Sequence, residues 1–273
     1  MNPLISVSEL QAATPRPVLI DATWSMTGPP AKELYDAGHL PGAHFVDLDT
    51  ELAGPPGPAG RHPLPQASVV QAALRRAGVS AGSAVVVYDA ATSMIAARAW
   101  WTFRYFGLTD VRVLDGGLAA WQAAGGEVTT EVPADGGGDF VATPGAIPVL
   151  TAEEAATRAK SGVLLDARAA ERYAGEVEPI DPVAGHIPGA VSAPTTANVD
   201  PSGLFLPPEE LRERFVNLGA DGSSEIGVYC GSGVTAAHEV LALAVAGIPA
   251  DVYVGSWSEW VSDPSRPIET AKS

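Results

Sequence analysis

Ala37-Gly38-His39-Leu40-Pro41-Gly42-Ala43 recurs 147 residues further on as Ala184-Gly185-His186-Ile187-Pro188-Gly189-Ala190, and this repetition orders the rest of the chain. Upstream of each copy stands a helix-start capping box, Ser6 with Glu9 and Thr151 with Glu154. Next comes a short apolar run ending in an acid, Val18-Leu-Ile-Asp21 and Val163-Leu-Leu-Asp166, each read as a buried strand. Downstream, Ala84-Val-Val-Val-Tyr88-Asp89 answers Glu225-Ile-Gly-Val-Tyr229-Cys230, and each precedes a helical stretch rich in Ala, Leu or Val. Val113-Leu-Asp-Gly116-Gly-Leu-Ala-Ala-Trp121 then answers Tyr253-Val-Gly255-Ser-Trp-Ser-Glu-Trp260. The period far exceeds the 20 to 50 residues of solenoid repeats, so two similar domains are expected. Strands alternating with helices in each copy predict an α/β fold, a mainly parallel sheet flanked by helices. The boundaries read as 1–128 and 149–273, with 129–148, holding Gly136-Gly-Gly138 and three prolines, as linker.

Composition agrees and removes several functions. At 273 residues with 46% hydrophobic and 18% charged side chains, the chain can build two cores. Its net charge of −16 repels polyanions, so no nucleic-acid partner is expected. The longest uncharged apolar stretch, Val240 to Ala250, is well short of the roughly 20 residues of a membrane span, and the first ten residues lack a secretory pattern. A cytoplasmic protein without a membrane partner is expected. Its one cysteine, Cys230, rules out an intramolecular disulfide and a cysteine-rich metal site, and no metal is expected.

The two copies differ where chemistry would sit. The first ends its central strand in Asp89, whereas the second ends in Cys230 followed by Gly231-Ser232-Gly233. Open α/β sheets bind ligands at the carboxyl ends of strands. Gly231 and Gly233 free the backbone to turn successive N–H groups toward the sulfur, and the following helix adds its N-terminal dipole. Such a cradle favours the reactive thiolate. A cysteine phosphatase would need an arginine six positions after the cysteine, where Ala236 stands, but an extra terminal sulfur needs only amides.

These residues resemble the two-domain rhodanese, or sulfurtransferase, family over nearly the whole chain. The resemblance rests on the repeated Gly-His-Leu/Ile-Pro-Gly-Ala, on Leu114-Asp-Gly-Gly-Leu118 with Trp121, on Gly255-Ser-Trp257, and on Cys230-Gly-Ser-Gly-Val-Thr235. It implies two tandem rhodanese-like domains, the first inactive, with a persulfide carried by Cys230 and no cofactor. The loop is most similar to the 3-mercaptopyruvate branch, whereas the thiosulfate branch has cationic residues after the cysteine. The resemblance further implies that Gly231, Gly233, Val234 and Thr235 contribute to substrate binding. It also implies that Ser232 forms a relay with His62 and Asp49, and that Arg172 holds the donor's carboxylate. The alternatives are a solvated loop residue for His62 and a surface partner of Glu171 or Glu176 for Arg172. The family's second clamp arginine falls in Glu178-Pro-Ile180-Asp, where this chain has Ile180, which leaves the donor open.

The expected partners are a small-molecule donor, 3-mercaptopyruvate or thiosulfate, and an acceptor thiol, thioredoxin or cyanide. A non-catalytic rhodanese-like binding protein is the alternative of a different class. His39 and His186 occur in both copies and are read as turn structure. Trp100, Trp101, Trp121 and Trp260 are read as packing residues, and His238 is given no role.

Overall fold

The computed structural model describes residues 2–271 and divides into two compact units. The first comprises Met1–Gly54, Leu64–Ile147 and Pro201–Leu204; the second comprises Pro55–Pro63, Pro148–Asp200 and Phe205–Ser273. In the first, β1 (Leu4–Ile5), α1 (Val7–Ala12), β2 (Val18–Asp21), α2 (Ala31–Ala37) and β3 (His44–Phe45) are followed by α3 (Ala67–Arg76), β4 (Val85–Tyr88), α4 (Met94–Tyr105), β5 (Val111–Leu114) and α5 (Gly117–Ala123). The second runs β6 (Val149–Leu150), α6 (Ala152–Ser161), β7 (Val163–Asp166), α7 (Ala170–Tyr173), β8 (Val191–Ser192), α8 (Pro208–Asn217), β9 (Ile226–Tyr229), α9 (Val234–Val245), β10 (Asp251–Tyr253) and α10 (Ser256–Trp260).

Each unit is a five-stranded parallel sheet, ordered β1-β5-β4-β2-β3 and β6-β10-β9-β7-β8, flanked by helices. The chain leaves β7 toward one edge of its sheet and β9 toward the other. The carboxyl end of β9 is therefore a switch point of the kind that opens a ligand crevice, and β4 occupies that position in the first unit.

The repeated sequence elements do repeated physical work. Both capping boxes form: Ser6 Oγ accepts from Glu9 N and Thr151 Oγ1 from Glu154 N, each at 3.2 Å, and each glutamate reaches back to the cap's N–H at 2.8 Å. In the Gly-His-x-Pro-Gly turns, His39 Nδ1 meets Tyr35 O at 2.9 Å while its ring stacks on Tyr35 at 3.8 Å. His186 does the same with Tyr173, at 2.8 and 3.8 Å. The tyrosines ending the central strands anchor those turns: Leu40 N donates to Tyr88 Oη at 3.0 Å and Ile187 N to Tyr229 Oη at 3.1 Å. Trp121 packs in the first core with Leu10, Leu19 and Val86, and Trp260 in the second with Leu150, Ile187 and Trp257. Trp100 and Trp101 on α4 are buried as well.

The segment after Thr129 has a reason for its glycines other than slack. Thr129 pairs with His39 through two 2.9 Å hydrogen bonds, Phe140 N donates to Val79 O at 3.1 Å, and the Phe140 ring is buried. A Cβ on Gly138 would lie 2.1 Å from Val79 O, so the glycine lets this strand of backbone lie against the first unit.

Tyr229→Phe removes the acceptor of a buried N–H and should lower stability by about 1–3 kcal/mol. Denaturant unfolding checks this as a lowered midpoint at unchanged slope. An unmoved midpoint would mean that the Ile187 amide finds another acceptor.

Candidate active site at the end of the central strand

Four valine-, isoleucine- and tyrosine-rich residues carry β9 through the middle of its sheet, and Cys230 is the next residue, 1% exposed. The chain must then reverse into α9. It does so through Gly233, whose φ of +80° is a left-handed conformation that glycine adopts without a Cβ penalty. The turn aims the Gly233 N–H at Cys230 Sγ, 3.1 Å away. The neighbouring carbonyls are drawn off the other way: Trp257 N donates to Cys230 O and Ser258 N to Gly231 O, each at 2.9 Å. Ser256, itself at a φ of +53°, accepts from Cys230 N at 3.1 Å and donates to Tyr253 O at 2.8 Å, with its Oγ 4.0 Å from the sulfur. The Gly233 amide thus faces the sulfur, while the Cys230 and Gly231 carbonyls are tied elsewhere.

The first unit shows what this loop holds when no cysteine is present. There β4 ends at Asp89, and the left-handed residue before α4 is Ser93, at a φ of +59°. Asp89 Oδ1 accepts from Ala91 N and Ser93 N at 3.2 and 3.0 Å, and Oδ2 from Ile95 N and Ala96 N at 2.9 and 3.1 Å. Burial pushes this carboxyl above the usual carboxylate range, against the pull of four N–H donors. Its carbonyls are tied as in the second unit, with Leu118 N on Asp89 O and Ala119 N on Ala90 O, each at 2.9 Å. Counted from the left-handed cap, Ser93, Ile95 and Ala96 correspond to Gly233, Thr235 and Ala236.

Of the residues singled out in the sequence, Ser232 and His62 are brought together: His62 Nδ1 lies 2.8 Å from Ser232 Oγ. This is a contact within the second unit, because Pro55–Pro63 belongs to it although it comes from the first half of the chain. Arg61 N donates to Ser258 Oγ at 3.0 Å, and Gly57 and Gly60 pair with each other at 3.0 Å, which fixes this loop. Val234 and Thr235 form the first turn of α9, Val234 buried and Thr235 partly so. Asp49 lies in a turn of the first unit and accepts from Trp24 Nε1 at 3.0 Å. His238 is buried in α9, its ring stacked on Phe205 at 4.7 Å.

Arg172 is a partner of neither Glu171 nor Glu176. Its Nε and Nη2 donate to Glu178 at 3.1 and 2.6 Å, and Nη2 also reaches Asp181 at 3.3 Å. The reason is the fold of 174–181, which turns the Glu178 and Asp181 carboxylates inward to a few per cent exposure. Burial alone would raise the Glu178 carboxyl, but hydrogen bonds from Arg172, Asp181 N and Ile180 N outweigh it and hold it below its usual value. A Cβ on Gly231 would lie 3.5 Å from both Arg172 Nη atoms, which puts this guanidinium beside the cysteine loop.

Three participants were missed in the sequence: Arg61, Ser256 and the Glu178–Asp181 pair. Ser256 stands in the Gly255-Ser-Trp257 element of the repeat and Arg61 adjoins His62, but neither position reveals that its side chain folds back to the cysteine loop. Among the described residues, no group of three or more His, Cys, Asp or Glu is placed to hold a metal ion, and no helix is long and apolar enough to cross a membrane.

Comparison with known proteins accords with this geometry. A Rhodanese-like domain model matches residues 6–124 and again 151–263. A Pseudomonas aeruginosa protein named "Probable 3-mercaptopyruvate sulfurtransferase" is 44% identical over 98% of both chains. A Mycobacterium tuberculosis protein named "Putative thiosulfate sulfurtransferase SseB" is also 44% identical, over 97% of this chain and 96% of its own. The crystal structure of SseA from Escherichia coli, described as a 3-mercaptopyruvate sulfotransferase with the rhodanese fold, superimposes with a TM-score of 0.84 at 32% identity, covering 94% of this chain and all of that one. With the domain present twice and full-length relatives well above 30% identity, this chain belongs to the rhodanese-like family.

Proposed function

We propose that the protein is a sulfurtransferase that moves sulfane sulfur from 3-mercaptopyruvate to a thiol or cyanide through a persulfide on Cys230. One observation carries this reading: the Cys230 sulfur receives the Gly233 N–H in a loop whose counterpart holds both oxygens of a carboxylate with main-chain N–H groups alone. In that correspondence Gly233 N faces the inner sulfur, and the amides of Thr235 and Ala236 serve a terminal sulfur anion as those of Ile95 and Ala96 serve Asp89 Oδ2. Oriented amides in a site closed to water stabilise an anion without reorganising.

The reaction balances on the residues present. The Cys230 thiolate attacks the thiol sulfur of mercaptopyruvate; an S–S bond forms as the C–S bond breaks, and the electron pair leaves on the enolate of pyruvate. That enolate takes up a proton at carbon. The Ser232–His62 pair, at 2.8 Å, offers a path for that proton, which the donor's thiol supplies. Arg172 holds the donor's carboxylate. An acceptor nucleophile then takes the outer sulfur, and the S–S electron pair returns to Cys230. No step calls for a metal or organic cofactor. Because the chemistry needs a free thiol, we place it in the cytoplasm, where thiols stay reduced.

The relative named as a thiosulfate sulfurtransferase keeps that donor as the second reading. The ratio of kcat/KM for mercaptopyruvate over thiosulfate, with cyanide as acceptor, decides between them: a value well above one is expected, and a thiosulfate preference would replace the donor while keeping the persulfide.

Cys230→Ser should abolish turnover, and intact-mass measurement after incubation with donor should show one added sulfur on the wild type and none on the variant. A wild type that gains no sulfur would leave a binding protein. His62→Gln and Ser232→Ala should each lower kcat by about 10²–10⁴-fold. Since the pair acts as one unit, the double variant should fall little further, as steady-state kinetics will show.

A further inference from the structure

Arg61 has no role in the account so far, yet its guanidinium reaches the same place as that of Arg172. A Cβ on Gly231, the residue after the nucleophile, would lie 3.3 Å from Arg61 Nη2 and 3.5 Å from Arg172 Nη1 and Nη2. The two arginines share one acid: Arg61 Nη1 donates to Asp181 Oδ1 at 2.6 Å, and Arg172 Nη2 reaches Asp181 Oδ2 at 3.3 Å. Both arginine side chains are partly exposed, at 29% and 16%, whereas Asp181 is at 3%. Of the three nitrogens near that position, Arg172 Nη2 is held by Glu178 and Asp181, and the other two are the least committed. Arg61 Nη2 touches Asp181 only at 3.5 Å, and Arg172 Nη1 makes no hydrogen bond among the described residues. Ile180, which cannot bind an anion, is 41% exposed.

We propose that Arg61 is a second guanidinium for the carboxylate of the donor, acting with Arg172 from across the Cys230–Gly231 loop. It supplies from the 55–63 loop the cation that residue 180 does not provide. This rests on the sulfur-transfer reading and deepens it by naming what recognises an α-keto carboxylate. Asp181 binds the two guanidiniums from behind and holds them aligned, leaving Arg61 Nη2 and Arg172 Nη1 to face the donor. Two such groups on one carboxylate offset the field of a chain at net −16, which otherwise repels every anionic donor.

The test compares 3-mercaptopyruvate with a mercaptoketone in which a methyl group replaces the carboxylate, both with cyanide as acceptor. Arg61→Met should raise KM for mercaptopyruvate about 10- to 100-fold, the loss of a charged hydrogen-bond pair, with little change in kcat. For the mercaptoketone kcat/KM should stay within about three-fold, and Arg61→Lys should recover part of the mercaptopyruvate KM. An unchanged KM in Arg61→Met or an equal loss on both donors would overturn the assignment and make Arg61 a tether of its loop. A wild type that uses thiosulfate alone would overturn this assignment while keeping the persulfide, and one that takes sulfur from no donor would overturn the sulfur-transfer reading as well.

Discussion

Everything in the second unit converges on a single hydrogen bond, from the Gly233 N–H to the buried sulfur of Cys230. It exists because β9 delivers the cysteine to the middle of the sheet, because Gly233 alone in that loop takes the left-handed turn into α9, and because the amides of Trp257 and Ser258 draw the loop's carbonyls away. Were those carbonyls to face the sulfur, the same loop would repel an anion. Its local design is therefore a separation of backbone donors from backbone acceptors, and it needs no charged side chain.

The first unit demonstrates the same separation with its occupant built in. Asp89 fills the loop with its own carboxylate and takes four N–H groups, so nothing remains to offer a ligand. At the end of the central strand the two units thus differ, acid for thiol: one loop is filled by its own carboxyl, and the other holds a buried thiol. Around Cys230 the charged groups have another task. In a chain with twice as many acidic as basic residues, the buried Glu178 and Asp181 hold the guanidiniums of Arg61 and Arg172 in place beside this loop.

Much of this was legible in the sequence, for identifiable reasons. Repeated elements such as the capping boxes, the Gly-His-x-Pro-Gly turns and the paired strand-end tyrosines are local, so their spacing carried over directly into two parallel five-stranded sheets. Cys230 stood out because its counterpart is Asp89. What did not show was long-range. The resemblance paired His62 with Ser232, but no pattern within the Pro/Gly-rich Pro55–Pro63 says that the whole loop belongs to the second unit, where Arg61 finds Asp181. Similarly, Gly136-Gly-Gly138 reads as slack linker, whereas Gly138 is needed for contact with Val79. The acids nearest Arg172 in sequence are Glu171 and Glu176, but the turn at 174–181 presents Glu178 and Asp181 instead.

The central claim is that Cys230 carries the transferred sulfur, and kinetic competence tests it most directly. In a rapid-quench single turnover with mercaptopyruvate labelled at sulfur, the label should appear on Cys230 no slower than kcat. On mixing with cyanide, it should pass to thiocyanate at a rate that accounts for steady-state turnover. Label that reaches thiocyanate without first residing on Cys230, or that leaves the cysteine more slowly than the enzyme turns over, would contradict the account.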